Sequence, residues 1–99
     1  MANYVAHYRK KLYSLARKKL DLNRLLERHA TEQEVAMAAE AVRESQLRAL
    51  EAERAQVPPR EANASRLRAI DEGIASCQRL TVSDIIASCQ MAHAKSKGE

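Results

Sequence analysis

The chain has 99 residues, a formal net charge of +4, no Phe or Trp, and only two Gly and two Pro. This length argues against a second independent core, and no stretch approaches the roughly 20 apolar residues that a membrane-spanning helix needs. The apolar residues are mainly Ala and Leu, which lose little freedom on entering a helix, so the composition favours an all-α fold.

The first predicted element is a long amphipathic helix over about residues 4–28. Its apolar side chains recur at three- and four-residue steps, which is typical of a helix with one face in a core. We name this set the apolar stripe and expect it to be the interaction face: Val5, Tyr8, Leu12, Leu15, Leu22 and Leu26. Four further residues widen it: Tyr13, Ala16, Leu20 and Leu25.

The same helix carries most of the positive charge. Residues 1–30 contain eight Lys or Arg against two acidic residues, whereas residues 31–62 contain four basic and seven acidic residues. The cations of this basic face are Arg9, Lys10, Lys11, Arg17, Lys18, Arg24 and Arg28. Such a face can bind nucleic-acid phosphates or another acidic partner. It can equally be a solvated face that pairs with the second helix through Glu40, Glu44 and Glu51.

Thr31 and Glu34 mark the start of a second helix, predicted over about residues 32–56. Their three-residue spacing, directly ahead of an apolar-periodic run, is the capping-box pattern. The Val and Ala seam that follows allows a partner helix to approach closely. Because only residues 28–31 link the two helices, they are expected to form a long antiparallel hairpin.

Pro58 and Pro59 end the second helix, since neither can continue it. A third helix is predicted over about residues 64–80, with Asn63 or Ser65 as its cap. A fourth is predicted over about residues 83–93, capped by Thr81 with Asp84 or by Ser83. These two shorter helices complete one helical bundle domain over residues 1–95, and residues 96–99 are expected to be a disordered tail.

The pentapeptide IASCQ occurs twice, at residues 74–78 and 86–90, and contains both cysteines. A turn near residues 81–83 would bring Cys77 and Cys89 level across a short hairpin, with Ile74 and Ile86 beside them. Free Cys behaves as a small buried hydrophobe, so the cysteines are expected to be structural packing positions. A redox pair is the alternative, although no CxxC motif indicates an activated thiolate.

No catalytic, metal or cofactor site is predicted. The histidines are scattered, no paired metal-ligand spacing occurs, and two glycines cannot form a phosphate-binding loop. Basic residues interrupt each apolar run near the N-terminus, so no secretory signal is expected. Free thiols and the lack of such a signal predict a cytoplasmic protein.

These features predict a non-enzymatic protein–protein interaction module, such as an adaptor, small chaperone or assembly factor. The apolar stripe is wider than a 99-residue monomer easily buries, so self-association is expected, as a homodimer, together with binding to another protein. No small-molecule substrate is expected. The alternative is a nucleic-acid-binding protein that uses the basic face of the first helix.

Overall fold

The computed structural model describes the backbone of residues 4–97 and the side chains of residues 5–90. Over this range the chain forms no strand and four helices: α1 (Tyr4–Glu27), α2 (Glu32–Gln56), α3 (Ala64–Arg79) and α4 (Val82–Lys97). A short 3₁₀ turn, Glu61–Asn63, precedes α3. The predicted all-α helical hairpin bundle is therefore confirmed. α4 extends beyond its predicted end, and residues 98 and 99 of the predicted tail lie outside the described range.

The hairpin link between α1 and α2 is closed by backbone hydrogen bonds. The His29 N–H donates to the Leu26 carbonyl, and the Ala30 N–H donates to the Leu25 carbonyl at 3.0 Å. This pattern is the Schellman motif, in which the residue after the helix adopts a left-handed conformation. His29 occupies that position with φ of 55°. The motif reverses the chain within four residues, which makes α1 and α2 antiparallel.

Both predicted Thr caps are present. The Glu34 N–H donates to Thr31 Oγ1 at 3.2 Å, and the Thr31 hydroxyl donates to the Glu34 carboxylate at 3.1 Å. At α4 the capping box is fully reciprocal, because the Thr81 N–H donates to Asp84 Oδ2 and the Asp84 N–H donates to Thr81 Oγ1. Such caps satisfy backbone donors that have no partner inside the helix.

The start of α3 differs from the prediction. Asn63 stands at the N-cap but makes no side-chain hydrogen bond to the helix. Its side-chain amide instead donates to the Pro58 carbonyl at 2.9 Å, which ties the proline turn together. The 3₁₀ turn Glu61–Asn63 runs directly into α3, so the helix begins without a side-chain cap.

α2 is the central helix, since α1, α3 and α4 all pack against it. One cluster of buried residues joins α1, α2 and α4 near the hairpin link: Leu22, Val35, Ala39, Val42, Ile85 and Cys89. The other half of α2 packs against α3, where Gly73 lies next to Leu50 and Arg54 bonds Asp71 at 2.7 Å.

The expected short hairpin of α3 and α4 is not formed. The chain does turn at Leu80 and Thr81, but in the described residues α3 and α4 pack on α2 and not on each other. Arg43 of α2 explains the geometry, because its guanidinium donates to the Leu80 carbonyl at 2.7 Å. The Cys77 thiol donates to the Arg43 carbonyl at 3.6 Å. The turn is thus fixed to α2, and α4 leads away from α3 to cover α1.

Candidate interaction surface

The apolar stripe of α1 divides into a covered and an open part. Leu22 is completely buried, and Tyr8, Leu15 and Leu26 are half-buried. Val5 and Leu12 are exposed. Leu22 therefore belongs to the core and is not available to a partner, whereas the stripe nearer the N-terminus reaches solvent.

This division follows from where α4 lies. The buried cluster that includes Ile85 and Cys89 of α4 reaches α1 at Leu22, with Leu15, Leu25 and Leu26 packed around it. In the described residues the backbone of α3 approaches α2 and not α1, although Arg66 of α3 lies near enough to Tyr8 to act on its phenol. The N-terminal half of α1 consequently has α2 as its one closely packed helix among the described residues, and one helix cannot cover a face this broad.

Large apolar side chains remain exposed along α1. The exposed fractions are 52% for Val5, 41% for Leu12, 68% for Tyr13 and 48% for Leu20. We name these four residues the exposed apolar strip. Val5 and Leu12 are seven residues apart, as are Tyr13 and Leu20, so each pair lies on one side of the helix. The two pairs lie about 80° apart around α1, so the strip has two sides, one with Val5 and Leu12 and one with Tyr13 and Leu20.

Met37 of α2 is a fifth exposed apolar side chain, with 68% of its surface accessible. The sequence prediction did not include it. It follows Val35 by two residues, so it lies off the buried seam of α2. An apolar residue out of phase with the helical period is the signal that could have identified it.

The basic face of α1 is open to solvent. Arg9, Lys10, Arg17, Lys18, Arg24 and Arg28 are exposed and Lys11 is half-buried. A shallow groove on this face is lined by Tyr13, Ser14, Arg17, Lys18 and Asp21. Between this face and α2, the described residues contain one ion pair, Arg28 with Glu34 at 4.0 Å.

The glutamates of α2 bind arginines of their own helix. Arg43 pairs with Glu40, and Arg48 pairs with Glu44 at 3.1 Å and with Glu51 at 2.9 Å. The interpretation that these glutamates neutralise the basic face of α1 within one chain is therefore wrong. The basic face of α1 and the three glutamates Glu40, Glu44 and Glu51 of α2 are all exposed to solvent.

Tyr8 lies beside Glu53 of α2 and so indicates the register between α1 and α2. Burial raises the pKa of its phenol, and the adjacent Glu53 carboxylate raises that pKa further by opposing the phenolate charge. Tyr8 is thus level with Glu53 in the antiparallel hairpin. With the same register, Lys10 is level with Glu51 and Arg17 is level with Glu44.

The two cysteines are free thiols and both are buried, at 1% exposure for Cys77 and 5% for Cys89. Burial raises the pKa of both thiols because it disfavours the thiolate. Cys77 packs on α2 and Cys89 joins the cluster between α1, α2 and α4. The repeated pentapeptide thus gives two equivalent packing positions, each set against α2 and not against the other.

Among the described residues, no group of three His, Cys, Asp or Glu side chains could hold a metal ion. Within the same residues, no helix combines the length and the apolar character needed to cross a bilayer. The arrangement offers an apolar and charged surface on the α1–α2 hairpin, which suits binding through side-chain packing and ion pairs. Comparison of the chain with protein-family models, curated proteins and solved structures gives no match.

Proposed function

We propose that the chain is a non-enzymatic helical protein–protein interaction module that self-associates, in the manner of an adaptor, small chaperone or assembly factor. The exposed apolar strip on α1 is the observation that carries this proposal. Single exposed apolar side chains are ordinary on protein surfaces, whereas contiguous patches indicate interaction sites.

The placement of the strip supports a partner that packs along the helix. Its four residues extend from position 5 to position 20, which is about 22 Å of helix at 1.5 Å per residue. Apolar side chains spread along a helix in this way suit a second helix, whose own side chains can interdigitate with them. We extend the proposal to a cytoplasmic location, where the two free thiols would remain reduced.

Replacing Tyr13 and Leu20 together by Ser tests the proposal. Since both side chains are exposed, the variant is expected to keep its helical circular dichroism spectrum and to lose self-association. Light scattering at micromolar concentration should show a dimer for the natural chain and a monomer for the variant.

The matched control is Ala69→Ser with Ala87→Ser, which changes two exposed apolar residues on α3 and α4. This control should remain dimeric. Leu22→Ala marks the contrasting case, because removing a fully buried Leu side chain costs about 2–5 kcal/mol of stability. A monomeric natural chain at these concentrations would refute self-association.

Nucleic-acid binding is the second candidate function. It is favoured by one observation: the described carboxylates of α2 leave Lys10, Arg17 and Arg24 unneutralised. Binding through phosphate contacts would fall steeply between about 50 and 200 mM salt. Fluorescence anisotropy with a labelled 30-nucleotide single strand, and the absorbance ratio of the purified protein, would test this candidate.

A further inference from the structure

We propose that a second copy of this chain docks on the α1–α2 hairpin, so that Lys10 and Arg17 of each copy face Glu51 and Glu44 of the other. This inference rests on the self-association proposed above and names the surface that makes it. The surface is the side of the hairpin that α3 and α4 leave uncovered, and we name it the open face.

Helical geometry places the charges on the open face. Lys19 lies near Cys89 of α4, and Arg17 points about 160° away from Lys19 around α1. Lys10 shares the side of Arg17, because the two are seven residues apart. On α2, Glu44 and Glu51 are also seven residues apart and lie away from Leu50, which meets α3.

The two charged pairs match in spacing and in level. Each pair spans seven residues, or about 10 Å along its helix. The hairpin register, given by the Arg28–Glu34 ion pair at 4.0 Å and by Tyr8 beside Glu53, places Lys10 near the level of Glu51 and Arg17 near the level of Glu44. Within one chain these partners lie side by side on neighbouring helices and do not bond.

A two-fold axis parallel to the hairpin brings the matched charges together. This rotation leaves the position of every residue along the helix axes unchanged. It places α1 of one copy opposite α2 of the other. Lys10 and Arg17 of each copy then meet Glu51 and Glu44 of the other, since a two-fold interface repeats each contact. The result is a bundle of four helices built from two hairpins.

The open face also has apolar contacts to contribute. Tyr13 and Met37 are the most exposed large apolar side chains of the described residues, at 68% each. Tyr13 adjoins Lys10 and Arg17, and Met37 precedes Glu44 by seven residues, so each belongs to one of the charged rows. Tyr and Met are enriched in protein interfaces, and their burial adds to what exposed ion pairs alone provide.

Charge favours the dimer in which α1 faces α2 over the alternative two-fold dimer in which α1 faces α1. Packing α1 against α1 of a second copy would place two cation rows together, which is unfavourable. Glu44 and Glu51 keep 69% and 54% of their side-chain surface exposed beside Arg48, so both carboxylates remain accessible to a second copy.

A charge exchange between two variants tests the inference. The first variant carries Lys10→Glu and Arg17→Glu, and the second carries Glu44→Lys and Glu51→Lys. Each alone faces like charges at both contacts, so its dissociation constant should rise about tenfold or more by sedimentation. In an equimolar mixture both contacts are complementary, so a heterodimer of the two variants should form with affinity near that of the natural dimer.

The control is Arg60→Glu with Arg68→Glu, which makes the same charge change at two exposed positions outside the hairpin and should leave the dimer intact. Circular dichroism of each variant reports on folding. A dimer that neither reversal weakens, or a mixture without heterodimer, would overturn this inference and leave self-association standing. A monomeric natural chain would overturn both, and oligonucleotide bound at Lys10 and Arg17 by the monomer would favour the nucleic-acid candidate.

Discussion

His29 holds the hairpin link in a conformation that glycine adopts more easily. Its φ of 55° lies in the left-handed region, which costs a residue with a Cβ roughly 1–2 kcal/mol. Two backbone hydrogen bonds at the end of α1 depend on this conformation. Glycine would adopt this backbone conformation without the steric cost that the Cβ of His29 brings.

We therefore expect His29→Gly to raise the free energy of unfolding by about 0.5–1 kcal/mol, after allowing for the greater freedom of glycine in the unfolded chain. Urea denaturation would measure the change. His29→Ala is the control, since alanine keeps the Cβ and should bring no comparable gain. A loss of stability in the glycine variant would show that the imidazole itself has a structural role.

Asp84 makes the stability of α4 depend on pH. Hydrogen bonds from the Thr81 backbone and side chain hold the pKa of Asp84 below its usual range. Because the folded pKa is lower than the unfolded one, the stabilisation is complete above about pH 4, near the unfolded value. It is lost as the pH falls through the folded value.

The expected result is that Asp84→Ala lowers the melting temperature at pH 7 and that this difference shrinks toward pH 2. Thermal melts at several pH values would measure it. Asp21→Ala serves as the control, because it removes an exposed carboxylate that caps no helix. A difference that stays constant across this range would contradict the capping role of the ionised carboxylate.

At the scale of the element, Gly73 in α3 occupies a position where a small side chain would fit. A Cβ on Gly73 would lie 3.6 Å from Leu50 Cδ2, which is an ordinary van der Waals distance. Glycine inside a helix costs roughly 0.5–1 kcal/mol relative to alanine. The close approach of α3 to α2 thus leaves room for a methyl group and little more.

Gly73→Ala should accordingly stabilise the protein by about 0.5–1 kcal/mol in urea denaturation. Gly73→Leu should destabilise it, because the longer side chain would overlap Leu50. The two variants share the gain in helix propensity, so the difference between them isolates the packing. If both were destabilising, α3 would have to lie closer to α2 than described.

α1 shows what a helical pattern can and cannot predict. The spacing of its apolar residues predicted the helix and its bounds, because periodicity and chain breaks are local properties. The same spacing gave Leu12 and Leu22 one assignment, yet the first is exposed and the second is buried. The difference in their exposure depends on where α4 packs against α1, which the spacing of residues within α1 cannot specify.

At the scale of the whole molecule, the sequence predicted the caps more reliably than the packing. Thr31 and Thr81 act as predicted because each cap involves residues three positions apart. The relation of α3 to α4 was not predicted correctly, since Arg43 fixes the turn from 37 residues away. The sequence left open whether the basic face pairs with α2, because it could not show that Arg48 binds Glu44 and Glu51 of its own helix.

The central position of α2 also has a consequence for the order of folding. The four-residue link between α1 and α2 closes quickly and with a small entropic cost, so the hairpin can form from local contacts. Neither α3 nor α4 has a surface to dock on until α2 is helical, since both pack against it. The chain is therefore expected to fold from its N-terminal half, with the turn at Leu80 reaching Arg43 as a late event.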